Sequence, residues 1–210
     1  MYARPRLVWL AVSSAMLWML SGCAMHRLEN VWADPSYHGP LKRVLVLATN
    51  KDTASRRIFE EIVVADLVKR GVQAVPSYDV MPEAKPTEKE VADKVREGGY
   101  DAALVTRALG QEHRSTYIPG YSYAVPYVVP GPYWGTYSIW YDYVWDPGYV
   151  QEYDVVGLET TLWLTGGEGK VVWAGTTETL ASDSAARKGR AVSRAVLPAL
   201  EKLGIIGPEK

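Results

Sequence analysis

Lys42-Arg43-Val44-Leu45-Val46-Leu47-Ala48-Thr49-Asn50-Lys51-Asp52-Thr53 is the stretch that decides the fold. Val44 to Ala48 is a continuous apolar run behind two cations, which is the pattern of a strand buried on both faces. Asp52 and Thr53 then offer helix caps, and Phe59, Ile62, Val63 and Leu67 recur at helical spacing as far as Gly71. A buried strand feeding an amphipathic helix is the first half of a strand-helix-strand unit.

Working outward, Val72 to Tyr78 reads as the next strand. Thr87-Glu88-Lys89-Glu90 has capping-box spacing for a second helix ending at Gly98-Gly99, and Asp101 to Leu109 reads as a third strand. Two such units in succession argue for right-handed crossovers and a largely parallel sheet covered by helices. Further on, Glu152 to Leu164 and Lys170 to Thr179 are rich in branched and aromatic residues and are joined by Gly166-Gly167-Glu168-Gly169, the pattern of a hairpin. A last helix from Ser184 to Leu203 places Val192, Val196, Leu200 and Leu203 on one face, with Pro198 expected to kink it. The expected fold class is therefore α/β: a small mixed sheet with helices, in the order βαβαβ, insertion, β-hairpin, α.

The insertion, residues 117–149, is compositionally unlike the rest. It holds nine of the fourteen tyrosines, three of the eight tryptophans, five prolines and four glycines, with no lysine or arginine. Tyr121, Tyr123, Tyr127, Tyr133, Tyr137, Tyr141, Tyr143 and Trp145 fall on odd positions, on either side of Pro130-Gly131-Pro132, while Trp134 and Trp140 fall on even ones. That period of two predicts a long hairpin with one aromatic face. Pro126 argues for an edge or broken strand.

The amino-terminal end carries a second signal. Arg4 and Arg6 precede an uncharged apolar run from Leu7 to Leu20, short for a spanning helix, and Leu20-Ser21-Gly22-Cys23 follows it. This resembles the lipobox of bacterial lipoproteins. The resemblance implies cleavage before Cys23 and a thioether-linked diacylglycerol, with an N-acyl chain, on that residue. Each buried methylene is worth about 0.8 kcal/mol, so two or three chains anchor firmly where one does not. Ala24 stands where an aspartate would mark inner-membrane retention, which implies the outer membrane, facing the periplasm. The expected organisation is a signal peptide over 1–22, a lipidated tether over 23–41 containing Pro35, Gly39 and Pro40, and a periplasmic domain over 42–210.

About 190 residues remain after cleavage, enough for one domain with a proper core. Cys23 is the sole cysteine, so no intramolecular disulfide can form and packing must hold the domain together. Loss of Arg4 and Arg6 takes the net charge from -1 to -3. No basic stripe exists to bind phosphates, which argues against nucleic acid as a partner.

The order of elements is similar to the small α/β domains of periplasmic lipoproteins: curli-type secretion channel lipoproteins, lipoprotein activators of penicillin-binding proteins, and lipoprotein families of unknown function. The resemblance rests on Lys42 to Ala48, on Arg56 to Tyr78, on Gly99-Tyr100-Asp101-Ala102-Ala103-Leu104-Val105-Thr106, and on Lys170-Val171-Val172-Trp173. The secretion-channel lipoproteins of this resemblance form membrane hairpins when they oligomerise.

Catalytic groups are thin. The three histidines, His26, His38 and His113, match no zinc spacing and read as solvated side chains; no metal and no cofactor is expected. Gly120-Tyr121-Ser122-Tyr123-Ala124 approaches a nucleophile elbow but ends in alanine and lacks a following helix. Gly166 to Lys170 has the wrong glycine spacing for a phosphate loop and precedes a strand. Asp142 with Asp146, or Glu60 with Glu61, are the acid pairs a glycoside hydrolase would need.

The expectation is thus a non-enzymatic, lipid-anchored binding or assembly module of the cell envelope. Its partner-binding residues are Tyr121, Tyr123, Tyr127, Tyr133, Trp134, Tyr137, Trp140, Tyr141, Tyr143 and Trp145, which meet a protein or a glycan such as peptidoglycan. Two alternatives stand beside it: an envelope hydrolase acting on peptidoglycan, and a subunit of an oligomeric secretion pore whose hairpin enters the membrane. A third possibility for the insertion alone is that it packs on its own domain.

Overall fold

The computed structural model describes residues 28–50, 52–82, 87–130, 137–166 and 169–207. The signal segment, Cys23, His26, Tyr133 and Trp134 lie outside the described residues, as does part of the expected Gly166 to Gly169 turn.

Strand β2, Arg43–Thr49, follows the deciding stretch closely, and its alternate side chains go to opposite layers. Val44, Val46 and Ala48 enter one buried cluster, while Leu45 and Leu47 enter another. A strand buried on both faces needs a helix on each. Helix α1, Thr53–Val68, is capped by the Asp52 carboxylate accepting from the backbone N–H groups of Ala54 and Ser55, and it turns Phe59, Val63 and Leu67 into the first cluster. Full burial of each such side chain is worth about 1.5–3 kcal/mol. Helix α3, Glu88–Glu97, covers the other face with Val91 and Val95, and its Thr87–Glu90 capping box forms as the sequence predicts.

Strand β3, Gln73–Pro76, is shorter than expected: Ser77–Val80 forms one helical turn, α2, in place of the strand's last residues. Strand β4, Ala102–Ile118, runs well past Leu109. Strands β7, Tyr149–Leu164, and β8, Lys170–Leu180, make the expected hairpin, and helix α4, Ala185–Lys202, closes the chain with a Ser184 cap. Helices α1 and α4 approach closely at Gly189, where an added Cβ would lie 3.3 Å from the Phe59 carbonyl oxygen.

The sheet is mixed, in the order β1-β8-β7-β4-β2-β3. Parallel pairing is confined to β2 with β3 and β2 with β4; the remaining pairs are antiparallel. Strand β1, Leu28–Ala33, was not expected. It joins the edge of β8 antiparallel, with Leu28 opposite Thr177, so the sheet takes in residues assigned from sequence to the tether. An irregular register between Glu29 and Trp32 disrupts this edge, one of the ways open edges are kept from pairing further. Among the described residues no helix is long and apolar enough to cross a membrane, which says nothing of strands.

Candidate functional site

Beyond the sheet, β4 and β7 continue as a two-stranded stem, from Gln111 opposite Val156 to Ile118 opposite Tyr149. Strands β5, Tyr121–Pro130, and β6, Tyr137–Asp146, carry the ribbon further, from Tyr121 opposite Asp146 to Pro130 opposite Tyr137. Stem and hairpin share one register, since ten steps outward on each strand from the Gln111–Val156 pair lead to Tyr121 and Asp146. Ten residues per arm correspond to about 33 Å. The hairpin is a separate two-stranded sheet whose outer edges pair with no other described strand.

No described residue from 106 to 154 enters either buried cluster. The described part of the insertion therefore does not pack into the core of its own domain. Its rings are open: Tyr143 is 74% exposed, Trp145 63%, Tyr121 60% and Trp140 58%. An isolated two-stranded ribbon with bare aromatic side chains has marginal stability in water, and large exposed apolar area marks a contact surface.

The expectation of one aromatic face is corrected by the register. Opposite residues of an antiparallel pair project to the same face. Here odd positions of β5 face even positions of β6: Tyr123 opposite Val144, Val125 opposite Asp142, Tyr127 opposite Trp140. Tyr121, Tyr123, Tyr127 and Trp140 thus share a face with Asp142 and Asp146, and the Tyr121 and Tyr123 rings lie 5.8 Å apart on it. Tyr141, Tyr143 and Trp145 lie on the opposite face, with Val128 and Ile139 and no charged residue among them. Both faces are aromatic, and they differ in charge. Tyr137 is a strand residue in register with Pro130.

The stem is polar where the hairpin is not. His113 Nδ1 lies 2.9 Å from an Asp154 carboxylate oxygen, and Nε2 lies 3.7 Å from Glu152. The hydrogen bond to Asp154 raises the pKa of His113 above its ordinary value. Arg114 donates to Glu178 at 2.7 Å, tying the stem to β8, and to Glu112 at 3.0 Å. His113 is exposed, as expected, but not alone.

The acid pairs do not make a hydrolytic site. Glu60 is wholly buried and accepts from Ala48 N–H, Arg56 Nε and the Ser77 hydroxyl, while Glu61 is exposed and accepts from the Tyr78 hydroxyl. That bond, after burial, helps push the Tyr78 hydroxyl up to about 12. Asp142 and Asp146 are four residues apart on one strand, about 13 Å, beyond the roughly 5–9.5 Å of carboxyls that share a glycosidic bond. Among the described residues no three His, Cys, Asp or Glu side chains converge to hold a metal. A cavity of about 290 Å³ lies at the carboxyl end of β2 and beside the middle of β4, lined by Asn50, Phe59, Leu109, Gln111, Leu158 and Lys188 among others; neither a histidine nor a carboxylate lines it.

Sequence reasoning found the hairpin and missed the stem that carries it. The signal was present: Pro119-Gly120 and Pro147-Gly148 bracket the hairpin symmetrically and mark the joint between two ribbons.

No protein-family model matches the chain, and no curated protein does. Among solved structures it is similar to a PelC dodecamer from Paraburkholderia phytofirmans, at 12% identity and a TM-score of 0.44, over 85% of this chain and 97% of that one. A point variant of the same dodecamer in a second crystal form gives 12% and 0.43, over 86% and 99%. A PDZ domain protein from Parabacteroides distasonis gives 12% and 0.28, over 72% and 30%.

Proposed function

We propose that this chain is a lipid-anchored, non-enzymatic module of the cell envelope, held to the periplasmic side of the outer membrane through Cys23, which engages a protein or glycan partner through the ribbon. The observation that supports this most is the ribbon itself: a hairpin with exposed tyrosine and tryptophan on both faces and no positive charge, carried on a polar stem by a domain whose core does not use it. Tyrosine and tryptophan offer large contact area at low entropic cost, which is why they dominate binding surfaces.

A second reading, an oligomeric secretion pore built from several ribbons, is favoured by one specific feature. Both outer edges of the hairpin lack a partner among the described strands, and each arm has the length of a membrane-spanning strand.

Photoreactive groups placed at Tyr127 and Tyr141 in intact cells sample the two faces separately. Capture of one envelope protein or of peptidoglycan supports the binding module, and capture of other copies of the chain supports the pore. Crosslinks only within the chain overturn both.

A further inference from the structure

Leu28, the first described residue, and the start of the stem lie at the same end of the sheet. Strand β1 enters at Leu28, opposite Thr177 near the end of β8; Thr177 pairs with Leu158, and Leu158 with Ala108. Leu28 is therefore three strand spacings, about 14 Å, from Ala108, at the level where β4 and β7 are about to leave the sheet as the stem. Leu28 is five residue steps beyond Cys23, and a chain of that length reaches at most about 18 Å. The hairpin begins far beyond that reach. On β7 and its continuation, Asp146 is twelve residues outward from Leu158, about 40 Å along the ribbon.

We infer that the hairpin lies against the same bilayer that holds the lipid on Cys23, and that its charge-free face is the one in contact with lipid. This rests on the proposed lipidation of Cys23. With the anchor within about 18 Å of Leu28 and the ribbon extending about 40 Å from the same end of the sheet, the hairpin is within reach of the bilayer. It runs into the bilayer, or bends at Gly120 and Gly148 and lies along its surface. The two geometries share one requirement on side chains. Val128, Ile139, Tyr141, Tyr143 and Trp145 lie on a face without charge, and tyrosine and tryptophan suit the boundary between headgroups and acyl chains. Asp142 and Asp146 both lie on the other face, where a carboxylate keeps its water. The absence of lysine and arginine between residues 117 and 149 means that attraction to anionic lipid is not the driving force. The stem's His113, Arg114, Glu152 and Asp154 sit at the level the anchor can reach, in the headgroup region and the water beside it.

The test uses the full, lipidated chain in vesicles of phosphatidylethanolamine and phosphatidylglycerol. Single substitutions Ile139→Cys, Trp140→Cys, Tyr141→Cys, Asp142→Cys, Tyr143→Cys and Val144→Cys are labelled with an environment-sensitive thiol dye, and a nitroxide on the acyl chain serves as quencher. Dye at Ile139, Tyr141 and Tyr143 is expected to shift to the blue and lose most of its emission to the quencher; dye at Trp140, Asp142 and Val144 is expected to stay water-like. Equal quenching on both faces, the reverse alternation, or none at all overturns the inference. The parent chain is its own control, because a lipidated Cys23 thioether takes no dye. Labelling of the parent marks failure of the anchor reading and of the inference with it. An unlabelled parent without alternation marks failure of the inference alone. These side chains are exposed, and each variant's unfolding transition is compared with the parent's to confirm folding.

Discussion

Gly120 and Gly148 face each other backbone to backbone at the joint between stem and hairpin. A Cβ built on Gly120 would lie 2.6 Å from the Gly148 nitrogen and 2.5 Å from the Asp146 carbonyl oxygen, and one on Gly148 would lie 2.8 Å from the Gly120 nitrogen. The Tyr117 hydroxyl and the Trp145 ring also crowd these positions and could turn away, but the backbone atoms on each side could not, so side-chain rotation alone does not relieve the clash. Gly120→Ala or Gly148→Ala is expected to cost on the order of 1–3 kcal/mol, as overpacking does elsewhere. The loss should appear locally, as faster amide exchange and easier proteolysis over residues 121–130, while the domain's own unfolding transition stays in place. Unchanged exchange in the hairpin would show that the joint tolerates side chains.

Replacing residues 121–146 with a short glycine-serine turn should leave a cooperatively folding domain. No described residue in that stretch enters either buried cluster, and surface changes away from packed features usually stay within about 0.5 kcal/mol. Urea unfolding followed by circular dichroism checks this directly. A broadened transition, or one lost altogether, would mean that the hairpin stabilises the sheet after all.

What was legible in the sequence was what is local. The Asp52 cap, the Thr87–Glu90 box and the apolar run of β2 all arise from neighbours within a turn or a strand, and each forms where its pattern predicts. Strand β1 was hidden because Leu28–Ala33 has no alternation of its own and its partner, β8, lies far along the chain. The hairpin was legible as strands, but not in its faces. Face assignment depends on register, and a change of one position moves every ring to the other side. The period of two along each arm was right, and combining the odd positions of both arms was not.

Glu60, which the sequence offered as one of an acid pair with Glu61, is instead bound to Arg56 one helical turn away, and both are fully buried. Arg56 also donates to the Ser77 hydroxyl at 2.7 Å and the Met81 carbonyl at 3.0 Å, while Glu60 accepts from Ala48 and Tyr78 N–H, so the pair joins α1, β2 and α2. Glu60→Ala strands the guanidinium and should destabilise the domain by about 3–5 kcal/mol. Arg56→Met with Glu60→Leu removes both charges and should cost less than the two single changes added together. Additive losses in urea titrations would count against coupling between them.

His113 makes the stem sensitive to pH. Its hydrogen bond to Asp154, with lesser attraction from Glu152, raises the pKa of the folded state above the ordinary value of 6.5. Proton binding is therefore tighter folded than unfolded. The stabilisation is fully present below pH 6.5 and is lost as pH rises through the raised folded value. The stem, residues 111–118 and 149–156, should show higher amide protection, after correction for intrinsic exchange, at pH 6 than at pH 8. An imidazole titration by NMR should place the His113 midpoint above 6.5, and Asp154→Asn should move it down and flatten the protection difference. A midpoint unaffected by that substitution would remove Asp154 as the cause.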